Sequence, residues 1–95
     1  MHELDKVIHQ PARLKIMAML NVLPGDADVD FVYVRDELKM TDGNLGSHLT
    51  KLEDAGYVRI KKVFEGKKPR TYLKLTGKGR DRFMDHVAAL KNILG

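Results

Sequence analysis

Apolar positions along this chain follow a helical period over most of its length and a strand-like one in a single region. Between Pro11 and Leu23 they fall on two sides of a helix. Ala12, Ile16, Met19, Leu20 and Leu23 cluster on one side; Leu14, Ala18 and Val22 form an i, i+4, i+8 row on the other. Pro11 suits a first helical turn, where its missing N–H costs nothing, and Pro24-Gly25 breaks the pattern. A helix that is apolar on both sides needs two burying surfaces, and in a small domain the second is another subunit. Leu4, Val7 and Ile8 add a short amphipathic turn ahead of it, so residues of about 3–23 read as one terminal dimerisation element.

Asp30 is a good N-cap for a helix from Phe31 to Lys39 with Phe31, Val34 and Leu38 inward. Thr41-Asp42-Gly43-Asn44 is another helix start. That helix runs to about Ala55, with Leu45, Leu49 and Leu52 as its core stripe and Gly56 at C′. Two short helices joined by a turn of roughly three residues have helix-turn-helix spacing. After Gly56 the composition becomes β-branched and aromatic over Tyr57–Phe64 and Thr71–Thr76, with a charged tip, Glu65 to Arg70, between them. This predicts a β-hairpin over about 57–76, in which Gly66 supplies the turn geometry and Pro69 limits edge pairing. Thr76 caps a last helix of about 77–94. Phe83, Val87, Leu90 and Leu94 form its stripe, widened by Met84, Ala88 and Ile93 beyond what one small core needs. The expected fold is α+β and mostly α: a winged helix-turn-helix forming one domain over 1–95, with its C-terminal helix packing at a dimer interface. The expected interface residues are Leu4, Val7, Ile8, Leu14, Ala18, Val22, Met84, Val87, Ala88, Leu90, Ile93 and Leu94.

Composition narrows the function classes. A chain of 95 residues supports one core and no second catalytic domain. With 32% charged residues it has no apolar run near the ~18 residues of a membrane span, and Met1-His2-Glu3 does not begin a signal peptide. The absence of cysteine excludes disulfides, thiolate zinc sites and thiol nucleophiles. A cytoplasmic protein that uses no cofactor is the expectation. The formal charge is only +4, but it is unevenly placed. From Arg59 to Lys74 seven basic residues face the single acid Glu65, a local net of +6; from Asp26 to Glu37 five acids face only Arg35. A concentrated basic patch implies a polyanionic partner.

Gln10-Pro-Ala-Arg-Leu-Lys-Ile-Met-Ala-Met-Leu20, Thr41-Asp-Gly-Asn-Leu-Gly-Ser-His-Leu-Thr-Lys-Leu-Glu-Asp-Ala-Gly-Tyr-Val58, Phe64-Glu-Gly-Lys-Lys-Pro-Arg-Thr-Tyr72 and Leu75-Thr-Gly-Lys-Gly-Arg80 together resemble the small stand-alone winged-helix regulators of the MarR/ArsR-like group. The resemblance covers nearly the whole chain and implies a homodimeric transcriptional regulator that reads double-stranded DNA. One position departs from it: Gly46 stands where ArsR-type sequences commonly carry serine. A glycine inside a helix costs about 0.5–1 kcal/mol relative to alanine, and here it deletes a polar contact or admits a close backbone.

With Leu45, Leu49 and Leu52 turned inward, Asn44, Ser47, His48 and Lys51 fall together on one exposed flank, suited to base edges in a major groove. Asn44 and Ser47 are also ordinary helix-start residues, and His48 reads equally as a DNA contact or as a half-exposed histidine. Thr41 can cap the helix and bond a phosphate. Lys67, Lys68 and Arg70 on the hairpin tip suit phosphates or a narrow minor groove. Lys61 and Lys62 point to opposite faces of their strand, so one of them at most faces DNA; Lys61 is taken as the contact.

Other signals are weaker. Asp26-x-Asp28-x-Asp30 with Glu37 copies the start and end of a calcium loop, but Phe31 occupies the position where that loop needs glycine. His2, His9 and His86 include no i, i+4 pair on one helix, so no metal site is expected. Asp85-His86 has no nucleophile, and the chain is not expected to be an enzyme. Met17, Met19 and Met84 read as gap-filling core. Two alternatives to the regulator remain at this level: a winged-helix protein-interaction subunit, and an effector- or metal-responsive sensor with its site between the dimer helices. No small-molecule effector is specified.

Overall fold

The computed structural model describes residues 3–25 and 27–95, so His2 and Asp26 lie outside the described residues. Its elements are α1 (Pro11–Asn21), β1 (Val29–Asp30), α2 (Phe31–Glu37), α3 (Asp42–Asp54), β2 (Val58–Glu65), β3 (Lys68–Leu75) and α4 (Gly77–Leu94). Each helix begins at a side-chain cap. The Gln10, Asp30, Thr41 and Thr76 side chains accept from the backbone N–H groups of Arg13, Val32, Asn44 and Gly79. These bonds satisfy donors that the first turn leaves unpaired. Between α2 and α3 the chain turns through Lys39, whose φ of 54° is left-handed. The Lys39 and Met40 amides donate back to the Asp36 and Arg35 carbonyls, closing the helix end.

The sheet is antiparallel in the order β1-β3-β2. β1 falls in the acidic stretch ahead of the Asp30 cap, where no strand was expected because two residues are too few to display an alternation. The hairpin also differs from expectation. Its turn is only Gly66-Lys67, with Glu65 paired to Lys68 and Phe64 to Pro69, so Lys68 and Arg70 belong to β3. Charged residues and proline are depleted in strands, which is why this part read as loop. The tight turn places Gly66, at φ 65°, where a two-residue hairpin demands positive φ.

The core joins Ile16, Met17 and Leu20 of α1 to Val34, to the α3 stripe Leu45, Leu49 and Leu52, to Val58, Leu73 and Leu75 of the sheet, and to Phe83. The N-terminal segment is not helical; it makes a turn at Lys6–Ile8 and reaches α1 only at Pro11. Ile8 is 0% exposed and part of the core, so its expected place at a dimer interface is corrected. Val7, Leu14 and Val87 are half-buried against the same core, and Leu4, Ala88 and Leu90 are half-buried. Ala18, Val22, Met84, Ile93 and Leu94 remain exposed, Val22 at 81% and Leu94 at 83%.

The base of the hairpin is locked to α4 through Tyr57. Its carbonyl accepts from the Thr76 amide at 3.0 Å and the Thr76 hydroxyl at 3.1 Å. A Cβ added to Gly79 would lie 2.1 Å from that oxygen, so only glycine fits. Arg80, one residue on, donates to the Asn21 and Leu23 carbonyls and closes the C-terminal end of α1. Gly46 behaves differently: nothing lies within 4 Å of where its Cβ would stand, so no close backbone approach demands glycine there.

A polar cluster fastens the N-terminal segment. Asp5 accepts from the amides of Val7 and Ile8 and from the Tyr57 hydroxyl, while its own amide donates to Nδ1 of His86 at 2.9 Å. Burial and the bond to Asp5 push the Tyr57 hydroxyl up to about 12. Burial opposes ionisation of Asp5, yet its hydrogen bonds, led by that from Tyr57, hold it below its ordinary value. His86 is 0% exposed, and its Nε2 has no hydrogen-bond partner. Its Nδ1 already accepts, so protonation would break the bond to Asp5. Burial, with His9 nearby, accordingly lowers its pKa from the ordinary 6.5.

Two outcomes follow from this packing. Gly79→Ala should cost about 3 kcal/mol through overlap with the Tyr57 carbonyl, whereas Gly46→Ala should stabilise by about 0.5–1 kcal/mol; denaturant unfolding of the pair measures both. Below pH 6.5 the unfolded chain takes up a proton that folded His86 refuses, so stability should be retained above pH 6.5 and fall as pH drops from 6.5 towards the folded pKa. Melting midpoints between about pH 7.5 and 5.5 should therefore decline less steeply for His86→Gln than for the wild type, and equal slopes would exclude His86 as the group responsible.

Candidate nucleic-acid interface

With Leu45, Leu49 and Leu52 in the core, α3 presents its opposite side to solvent. Asn44, Ser47 and Lys51 are exposed on it, as expected. Thr41 is exposed at the helix start, and its hydroxyl accepts from the Asn44 amide at 3.1 Å. Thr50, one turn beyond Ser47, is also exposed and was not singled out in the sequence; its spacing from Ser47 was the available signal. His48 is half-buried, with Nδ1 3.2 Å from Nη1 of Arg13 on α1. Burial first, then the charges of Arg13 and Lys51, lower the His48 pKa from 6.5.

The strands separate the hairpin lysines by face. Val58 and Ile60 face the core side of β2, and Lys62 continues that row. Lys62 lines an open hollow of about 340 Å³ together with Gly46, Leu49 and Thr50 of α3, Phe31 of α2 and Thr71 of β3. The absence of a side chain at Gly46 helps to keep this hollow open. Lys61 lies on the other face of the sheet, where it shares a depression with Arg59, Lys74 and Asp28. The rule that the two lysines diverge holds, but Lys62 rather than Lys61 is the one beside α3. Which strand face would meet α3 depends on register against the core, which hydropathy alone left open.

The tip lysines differ from Arg70. Lys67 occupies the turn and Lys68 opens β3, both exposed. Arg70 donates to Asp30 at 2.8 Å and pairs with Glu65 at 3.3 Å, while Tyr72 donates to Glu65 at 2.9 Å. Much of its charge is thus answered within the protein. Part of the acidic stretch therefore sits against the basic hairpin, and the +6 read along the sequence is smaller in space. Near the start of α3, Arg35 similarly bridges Asp36 and Asp42 at 2.9 and 2.8 Å. Asp42 is the acid in the first turn of α3, and Arg35 offsets its charge there.

Helix, helix-turn-helix, hairpin and closing helix, with a basic edge along the α3 side, match a known family. The winged helix DNA-binding domain family matches residues 12–94. The chain belongs to this family. Its relatives include the uncharacterized protein MJ0432 of Methanocaldococcus jannaschii, 38% identical over 82 residues that make up 86% of each chain. The structure of a transcriptional regulator homologue from Pyrococcus horikoshii OT3 is similar at a TM-score of 0.83 and 31% identity, covering 93% of this chain and 84% of that one. A PadR-like transcription factor from Bacteroides fragilis shares the fold at a TM-score of 0.69 and 24% identity, covering 95% and 93%. The protein is thus a winged-helix DNA-binding transcriptional-regulator homologue, with α2 and α3 as its helix-turn-helix and the β2–β3 hairpin as its wing.

Among the described residues no helix is long and apolar enough to cross a membrane, and no group of three or more His, Cys, Asp or Glu side chains is arranged to hold a metal ion. His9 and His86 meet in a tilted ring contact with centroids 5.3 Å apart.

Proposed function

We propose that the protein regulates transcription by binding double-stranded DNA in a sequence-specific manner as a homodimer, with the recognition helix in the major groove and the wing on phosphates or in the minor groove. The observation that carries this reading is the continuous polar and basic edge formed by Asn44, Ser47, Thr50 and Lys51 of α3 with Lys62 of the wing. Asn44 has the geometry to pair with adenine in a bidentate manner, and Lys51 to reach guanine or a phosphate. Thr41 joins them at the helix start, where backbone N–H groups favour an anion. Lys67 and Lys68 supply charge to the backbone without reading sequence. Arg70, tied to Asp30 and Glu65, contributes less than either, and Lys61 meets DNA only outside the groove that holds α3.

The dimer is supported by apolar surface that the monomer leaves uncovered. Ala18 and Val22 on α1 and Met84 on α4 are exposed, and Asn21 approaches the Met84 sulfur at 3.8 Å, so the two helices present neighbouring surface. Ile93 and Leu94 extend that surface along the last turn of α4. A two-fold pair sharing it would place two recognition helices about 34 Å apart and read a pseudo-palindrome with half-sites one helical turn apart.

Selection of bound duplexes from a random DNA pool tests the reading, and a recovered palindrome with that spacing is the expected result. With about four phosphates neutralised per subunit, log K should fall against log salt with a slope of roughly −7, and a slope near zero would exclude the DNA reading. Lys62→Ala, which removes one contact from each subunit, should weaken all sequences alike and make the slope shallower by about 2, while Lys61→Ala leaves it nearly unchanged. Asn44→Ala should instead flatten preference at one base pair by about 1–3 kcal/mol. Met84→Lys should shift sedimentation from dimer to monomer, and an unchanged sedimentation profile would remove α4 from the interface.

A further inference from the structure

Arg13 lies outside the recognition helix, yet its guanidinium is braced against that helix. Nε donates to the Val7 carbonyl, and Nη1 lies 3.2 Å from Nδ1 of His48. The Val7 segment is itself held by Asp5, through the Val7 and Ile8 amides and the Tyr57 hydroxyl. The guanidinium is therefore anchored on one side before it meets the imidazole on the other. A guanidinium has only donors to offer, so Nδ1 must be the acceptor in this contact. A neutral imidazole that accepts at Nδ1 carries its proton at Nε2. Burial and the neighbouring charges of Arg13 and Lys51 oppose a second proton. His48 adjoins Ser47 and precedes Lys51 by one turn, both exposed on the DNA-facing flank.

We propose that Arg13 is a positioning residue for sequence recognition: it holds His48 in the Nε2–H tautomer, so that the ring donates one hydrogen bond to an acceptor on the DNA. Guanine O6 and N7, adenine N7 and thymine O4 are the acceptors that a major groove offers to a single donor. Arg13 thereby acts on base choice through His48. The inference rests on the DNA-binding reading above, and its two halves separate by experiment.

The tautomer is read on the full chain without DNA, from long-range proton–nitrogen NMR of ¹⁵N-labelled protein. Wild-type His48 is expected to show a protonated Nε2 and an unprotonated Nδ1, and Arg13→Met, which keeps bulk but removes the donors, should give a mixture. Recognition is read as the ratio of affinity for the selected duplex to that for random duplex, which largely cancels the loss of one positive charge. His48→Ala and Arg13→Met should each lower this ratio by about tenfold, and the double variant by about tenfold rather than a hundredfold. Adding His48→Gln to Arg13→Met should restore most of the ratio, because the amide keeps a donor near the Nε2 position without needing a fixed tautomer. A wild-type ring protonated at Nδ1, or losses that multiply in the double variant, would overturn the inference even if DNA binding holds. Failure of the wild type to bind any duplex would overturn the DNA reading and His48's role together. The wild-type spectrum and the His48 variants decide the matter even if Arg13→Met does not fold.

Discussion

The backbone of Tyr57 is the point through which most of this structure is tied. It stands where α3 ends and the wing begins, and its carbonyl meets the start of α4 through Thr76. Gly79 lies so close to that carbonyl that no side chain fits. A hairpin anchored only at its tip turn would swing relative to α3; anchored here, it is held at its base. The Tyr57 hydroxyl extends the same junction to Asp5 and so to the N-terminal segment. A single residue thus sets the relation of wing, closing helix and N-terminus, and small shifts at this corner would be magnified at the far end of an eight-residue strand.

From that corner, two hydrogen-bonded routes lead in different directions. One runs through Asp5 to His86, on the helix whose apolar surface is proposed to meet a second subunit. The other passes from the Val7 carbonyl through Arg13 to His48 on α3, the helix proposed to enter the major groove. Both histidines accept at Nδ1 from a group that can only donate, and both are held below the ordinary histidine pKa by burial first. The N-terminal segment, which has no regular secondary structure, therefore fixes side chains on two helices. Its backbone is stabilised by the Asp5 carboxylate in place of a helical ladder, an arrangement in which Asp excels because its short side chain reaches amides a few residues on.

Charge along the chain and charge in space differ for a physical reason. The acidic stretch and the basic hairpin are some thirty residues apart in sequence, but β1 adds to the sheet edge beside β3. Asp30 and Glu65 then take up Arg70, and Asp28 adjoins Arg59, Lys61 and Lys74. What remains facing outward is smaller and better placed: Lys51 on α3, Lys62 beside it and the two exposed lysines at the hairpin tip. Sequence-specific binding benefits from such a distribution, since excess charge strengthens all duplexes equally whereas a few placed groups discriminate.

Four helices, their order, three of the four caps and the hairpin were legible from the sequence, because caps, breakers and hydrophobic period are local properties. So was the exposed flank of α3, since Leu45, Leu49 and Leu52 leave only one side for Asn44, Ser47 and Lys51. What depends on distant parts of the chain was not legible. Ile8 reads as surface in a short amphipathic turn, yet folding buries it completely. Lys62 and Lys61 are indistinguishable until the core chooses one face of β2. Arg13 is an ordinary helix-surface cation until the fold brings His48, thirty-five positions away, within reach of its guanidinium. Local chemistry determined the elements and their order; only tertiary packing decided which polar groups meet, because hydrogen bonds between remote residues leave no period in the sequence.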